Sequence, residues 1–250
     1  MEKAKKALVL FSGGKDSLLV TLRLLDEGYK VYLVTFENGC GLKANNVNNT
    51  IKRLIHKYDD EKIENIGIKN ISGLFREFIF PFYNYTSSYI NEKFGDISIS
   101  QFNCLSCRLS MYITSIILSQ QYNINYVFDG ARKVQTFAIE QSEMIKKFKD
   151  LFGTYNIDIE YPLENEIEDW KIQNELLLRG IVPKTLEPKC LLGVPLKKLD
   201  DDVLKGTINV YENYLKPKAI DLIQKYKDLK LNGELIWVTE AKNLYLFHFA

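Results

Sequence analysis

Histidine is almost missing from this chain: 250 residues hold two, His56 and His248. Neither stands near a cysteine in sequence, so a mixed Cys/His zinc knuckle has little to be built from. An excess of either charge is also missing. Thirty-three Lys and Arg against 32 Asp and Glu leave +1, and the overall field does not advertise nucleic-acid binding, although a local basic patch stays open. Lys and Asp interrupt every hydrophobic stretch; none reaches the roughly 18 apolar residues a membrane helix needs, so no span is expected. Met1-Glu2-Lys3-Ala4-Lys5-Lys6 leads straight into a strand pattern without a small-residue cleavage site, so no leader is expected and the chain reads as cytoplasmic. There its four cysteines suit metal binding or redox chemistry better than disulfides. Repeats and low-complexity stretches are absent.

What is present is a sizeable apolar fraction, 46%, and one dense motif. Ser12-Gly13-Gly14-Lys15-Asp16-Ser17 follows the apolar segment Ala7-Leu8-Val9-Leu10-Phe11 and precedes Leu18 to Leu25, apolar at helical spacing. The six residues therefore sit where a buried strand turns into a helix. Glycines let the backbone approach a ligand closely. The first amides of the helix lack partners and face an anion favoured by the helix dipole. Ser12 and Ser17 add hydroxyls and Lys15 a cation. Asp16, an anion in a phosphate cradle, makes sense as a magnesium ligand. An ordinary glycine turn is the plain alternative, but every residue type here suits one ligand.

This hexapeptide resembles the signature of the PP-loop ATP pyrophosphatases. The longer P-loop spacing, G-x-x-x-x-G-K-Ser/Thr, is not there. The resemblance implies cleavage of ATP between its α- and β-phosphates, with an acceptor oxygen adenylylated and pyrophosphate released.

Strand patterns at Ala7–Phe11, Lys30–Phe36, Ile63–Ile68, Asn125–Asp129 and Asn156–Tyr161 alternate with helical ones at Ser17–Glu27, Asn46–Tyr58, about Cys107–Gln121 and about Thr136–Leu151. That predicts an α/β fold with a doubly wound, parallel, five-stranded sheet, which the resemblance makes adenine nucleotide alpha-hydrolase-like. Residues 1–162 read as the nucleotide-binding domain and 163–250 as a mainly helical extension, with one or two amphipathic helices over 201–230 and a hairpin over 233–249. In such sheets ligands bind at the carboxyl ends of strands. Phe36, at the end of the second strand, is then either an adenine wall or a plain core aromatic. Gly130, Arg132 and Lys133 follow the fourth strand: Gly130 belongs to the nucleotide site, and the two cations serve phosphate or transition-state charge, or else a solvated loop. Aromatic residues crowd 71–100, as core, subunit interface (a homodimer is expected) or a stacking surface. Glu164, Glu166, Glu168 and Asp169 cluster before Trp170.

Cys104-Leu105-Ser106-Cys107 is a C-x-x-C placed where a helix is expected to open, which would lower the thiol pKa. Cys190 lies far downstream. Three thiolates from two segments fit a 4Fe–4S cluster with one open iron better than a catalytic zinc. Loop, C-x-x-C and late cysteine together resemble the iron–sulfur tRNA thiolases, the 2-thiocytidine and 2-thiouridine synthetases. That likeness implies ATP, Mg2+ and a cluster on Cys104, Cys107 and Cys190, a sulfide or persulfide donor, and tRNA as acceptor. The run Asp129-Gly130-Ala131-Arg132-Lys133 departs from the histidine-rich text usual there and is nearer the sulfonucleotide reductases of the same superfamily. Cys40 is either a relay thiol or a loop residue. Competing readings are an amide- or nitrile-forming ligase, or small-molecule thiolase, with Zn2+, and a nucleotide sensor without turnover.

Overall fold

A computed structural model of the chain describes residues 4–41, 47–133, 137–182 and 198–231, with side chains to 226. Five short strands form one parallel sheet: β1 (Lys6–Leu10), β2 (Lys30–Glu37), β3 (Ile63–Asn70), β4 (Tyr126–Phe128) and β5 (Asp158–Glu160). Their order is β3-β2-β1-β4-β5. The chain winds outward from β1 to β3, then crosses back to start the other half at β4. A crevice therefore opens between the carboxyl ends of β1 and β4, where an open α/β sheet binds its ligand.

Helices cover both faces. They are α1 (Lys15–Asp26), α2 (Val47–Tyr58), α3 (Ser72–Tyr83), α4 (Ser87–Phe94), α5 (Ile99–Tyr122), α6 (Ser142–Gly153), α7 (Asp169–Leu178), α8 (Asp201–Val210) and α9 (Lys216–Leu231). Alternation along β1 divides the core. Ala7, Val9 and Phe11 pack with α1, α2 and α7, while Leu8 and Leu10 pack with α3, α5, α6, α8 and α9. Both layers are apolar, which is why β1 and β2 read as continuous rather than alternating runs.

Helix α5 departs from the sequence expectation. It starts at Ile99, about one and a half turns before the C-x-x-C, so Cys104 and Cys107 lie within the helix and not at its opening. Phe102 and Leu105 are fully buried and extend the apolar stripe backwards past the cysteines. The pKa-lowering contribution expected from a helix N-terminus falls away with that position, since it fades within the first turn. The helix is buried almost all round, and three of its small hydroxyls are satisfied within it: Ser110, Thr114 and Ser115 donate to carbonyls four residues back.

The helix expected from about Thr136 starts at Ser142, after a short 3-10 turn at Ala138–Glu140. Between α8 and α9 a π turn spans Tyr211–Leu215. Pro217 follows it, and a proline lacks the N–H and crowds the carbonyl four residues back, which a widened turn relieves. The aromatic segment divides: Phe75, Phe78, Phe82 and Phe94 are buried, whereas Phe80, Tyr83, Tyr85 and Tyr89 are exposed. Phe82 stacks on Phe102 with centroids 3.7 Å apart, fixing α3 to the cysteine helix. Residues beyond 163 add to both cores, through Ile172 and Leu176 on one face and Tyr211, Leu215 and Ile223 on the other. Cys190 and the hairpin expected over 233–249 lie outside the described residues. Among the described residues no helix is long and apolar enough to cross a membrane.

Candidate active site

The loop after β1 is braced from within. Ser17 Oγ accepts from the Ser12 amide at 3.3 Å, lies 3.2 Å from Ser12 Oγ, and donates to the Gly14 carbonyl at 3.2 Å. Ser12 Oγ accepts from the Gly14 amide. Gly13 takes φ +80°, a conformation that side chains resist. The two serines thus shape the loop so that the amides opening α1 face the crevice between β1 and β4.

Gly130, just past β4, closes the other wall. A β-carbon there would stand 3.0 Å from the Ser17 amide nitrogen and 3.1 Å from the Asp16 carbonyl carbon. Only a bare α-carbon lets the two strand ends approach this closely.

The charged residues converge over the loop. Arg132 is 5% exposed and holds three groups: Nε donates to Asp16 Oδ2 at 3.2 Å, Nη2 to Asp169 Oδ1 at 2.6 Å, and Nη1 to the Glu166 carbonyl at 3.4 Å. Lys15 Nζ donates to Asp169 Oδ2 at 2.7 Å. Lys15 and Arg132, both expected here, therefore share one carboxylate that sequence reasoning noted but did not place in the site. Those bonds, first from Lys15 and then from Arg132, hold the Asp169 carboxyl below its ordinary range. Lys133 turns to Glu164 (2.7 Å) and Asn165 (3.1 Å). Phe36 is half-buried against the core that carries α5.

The cysteine pair lies on the same side of the sheet. Asn38, one residue past β2, donates from Nδ2 to Cys107 Sγ at 3.1 Å, and its Oδ1 accepts from the Cys40 amide at 2.8 Å. The adjacent Arg108 donates to Asp129 Oδ2 at 2.6 Å, one residue past β4. The cysteine turn of α5 therefore bridges the carboxyl ends of β2 and β4, which flank the strand bearing the loop. Asp129 also accepts from Tyr112 OH at 2.8 Å and the Ala131 amide at 3.1 Å, and Tyr112 meets Tyr161 at 3.0 Å. Burial works against the Arg108 charge, and Asp129 overcomes it.

Glu140 sits in the same region, 2% exposed, and its Oε2 has no hydrogen-bond partner among the described residues. Burial pushes its carboxyl up to about 8, against the opposing pull of Arg108. Its 3-10 turn is anchored where the Ala138 amide donates to Gln101 Oε1 at 2.8 Å, one helical turn before Cys104.

Two thiols one turn apart suit an iron–sulfur or zinc centre in kind, but not in number. Among the described residues no group of three or more His, Cys, Asp or Glu could hold a metal ion. The third expected ligand, Cys190, lies outside them. For magnesium, Asp16 offers a carboxylate at the loop, with Arg132 already on it.

Fold and loop together define a PP-loop ATP pyrophosphatase, an ATP-using enzyme class built on the adenine nucleotide alpha-hydrolase-like sheet. A family model described as queuosine biosynthesis protein QueC matches residues 6–166, and the chain belongs to that family. No curated protein sequence matches the chain. Among solved structures, a 4-thiouridine synthetase in complex with RNA and ATP superposes with a TM-score of 0.56 at 16% identity, over 87% of this chain and 53% of that one. This chain thus spans about half of that enzyme's length. The U34-tRNA thiolase NcsA from Methanococcus maripaludis, solved with its 4Fe–4S cluster, gives 0.45 at 16% identity, over 89% and 71%. An NMN synthetase from Francisella tularensis gives 0.48 at 16%, over 89% and 85%.

Proposed function

We propose that this protein is an ATP-dependent sulfur transferase that activates a carbonyl oxygen, with a tRNA base as acceptor. The acceptor oxygen attacks the α-phosphorus of ATP. A new P–O bond forms, the bridge to the β-phosphate breaks, and pyrophosphate leaves. Sulfide then attacks the activated carbon, and AMP departs with the original oxygen. Sulfide is already a strong nucleophile and AMP a ready leaving group, so no histidine base is required.

The loop amides, Lys15 and Arg132 offset charge on the departing pyrophosphate. Asp16 orients the magnesium that arrives with ATP, and Phe36 flanks the adenine. Ser12 and Ser17 keep the loop in shape, and Gly130 keeps the crevice narrow. Lys133 holds the segment that follows β5. Cys104, Cys107 and Cys190 would hold a 4Fe–4S centre, which supplies a coordination position for sulfide. The observation that carries this reading is the Asn38–Cys107 bond at 3.1 Å. It holds Cys107 beside the end of β2, the strand that pairs with the one bearing the nucleotide loop.

The family match favours a second reading. In it the acceptor belongs to queuosine biosynthesis, the incoming atom is nitrogen, and the product is an amide or nitrile, with zinc on the cysteines. One experiment separates the two. Anaerobically purified protein is assayed for iron, acid-labile sulfide and zinc, and pyrophosphate release is followed with sulfide or ammonia as nucleophile. Iron with labile sulfide, lost in Cys190→Ala, and sulfide-dependent release support sulfur transfer. Zinc without labile sulfide and ammonia-dependent release overturn it in favour of ligation.

A further inference from the structure

One relationship in the site is unexpected for an anion-binding crevice: its two innermost cations are bridged by a carboxylate of the chain itself. Lys15 and Arg132 have side chains 15% and 6% exposed, whereas the Asp169 side chain is 55% exposed. Both cations are too buried to move into water cheaply, and Arg132 is fixed besides by Asp16 and the Glu166 carbonyl. The carboxylate can rotate into water at little cost. Its two oxygens, 2.7 and 2.6 Å from the two cations, occupy the kind of bidentate position that phosphate oxygens take.

We propose that Asp169 is a resident surrogate for the leaving pyrophosphate: it holds Lys15 and Arg132 in position while the site is empty, and the β- and γ-phosphates of ATP displace it. This rests on the nucleotide reading above and assigns Asp169 as a positioning residue within it.

The bridge is not needed to hold α7 in place. Ile172 and Leu176 are buried against α1. Arg23 donates to Glu175 from Nε at 3.1 Å and from Nη2 at 2.6 Å, and Arg179 pairs with Asp26 at the far end of α1. Charge accounting agrees. Lys15 and Arg132 balance Asp16 and Asp169, so the empty crevice is neutral, and removing Asp169 leaves one positive charge for an incoming anion. When the carboxylate leaves, both cations are already aimed, and binding does not have to order them. The exchange also lowers the net affinity for pyrophosphate after the bond breaks, because the carboxylate competes to return.

The test uses the whole chain and inorganic pyrophosphate as probe, with ATP binding measured in parallel by calorimetry. Asp169→Asn keeps shape and removes the competing charge, and Asp169→Ser, suited to a helix start, is the second variant. Both should bind pyrophosphate about tenfold more tightly than the unaltered chain, roughly 1.4 kcal/mol. KM for ATP should fall, and pyrophosphate should become a stronger product inhibitor by a similar factor. If the unaltered chain binds pyrophosphate and the variants bind it equally or more weakly, the inference is overturned and Asp169 serves the nucleotide directly, as a metal ligand would. If none of the proteins binds ATP or pyrophosphate, the nucleotide reading itself falls, and this inference with it.

Discussion

Gly130 and Ser17 meet backbone to backbone: a β-carbon on Gly130 would stand 3.0 Å from the Ser17 amide nitrogen. The neighbour is main chain at the start of α1 and cannot yield as a flexible side chain would. Gly130→Ala should push β4 away from the loop and spread the amides that face the crevice. We expect ATP binding to fall at least tenfold, with a stability loss of about 1–3 kcal/mol. Calorimetry and urea unfolding would measure the two, and unchanged ATP affinity would refute this account of the glycine.

Arg132 reaches Asp16, Asp169 and a carbonyl from one planar group. Lysine carries the same charge but cannot reproduce that fork. Arg132→Lys should therefore reduce ATP-dependent pyrophosphate release by at least tenfold. The circular dichroism spectrum should stay the same, because α7 keeps its hold on α1 through Arg23 and Glu175. Release at the normal rate would show that the fork has no catalytic part.

Glu140 gives the protein a specific pH dependence. Its carboxyl is raised from 4.5 to about 8 by burial. A group raised on folding contributes stability that is full below its unfolded pKa and is lost as pH climbs through the folded value. Relative to Glu140→Gln, which stays neutral, the unaltered protein should lose on the order of 4 kcal/mol between pH 4.5 and 8. Urea unfolding of both proteins across that range would measure it, and parallel curves would show that Glu140 is not held protonated.

Phe82 stacks on Phe102 and also meets Phe94 and Tyr214. Phe82→Ala should cost about 3–5 kcal/mol. Phe102 lies two residues before Cys104, so loosening it should also disturb the thiol pair. Alkylation of Cys104 and Cys107 in the folded variant, followed by mass spectrometry, should run faster than in the unaltered protein.

The nucleotide loop was legible in the sequence because its chemistry is local: strand, two glycines, two hydroxyls, a cation and an acid stand within a few residues of each other. The five strands were legible for the same reason, with ends displaced by two residues at most. Arg132 was legible as a cation after a strand. The opening of α5 was missed although Ser98 and Gln101 stand at capping-box spacing; in the fold Ser98 meets Ser100 and Gln101 accepts from the Ala138 amide, while Phe102 and Leu105 fill the core. Asp169 was seen only as one acid in a run, and Asn38 only as the text after a strand. Their partners, Lys15 and Cys107, lie 154 and 69 residues away.

The sequence by itself determined the alternation of strand and helix and the loop that turns one into the other, because both are set by short-range periodicity and backbone freedom. The tertiary structure alone decided which charges face each other over that loop, that an acid from α7 sits on both cations, and that the thiol turn spans β2 and β4. Those pairings depend on strand order, and β4 lies beside β1 only because the chain crosses back after β3. No local pattern encodes that crossing; it follows from burying both faces of the sheet at once.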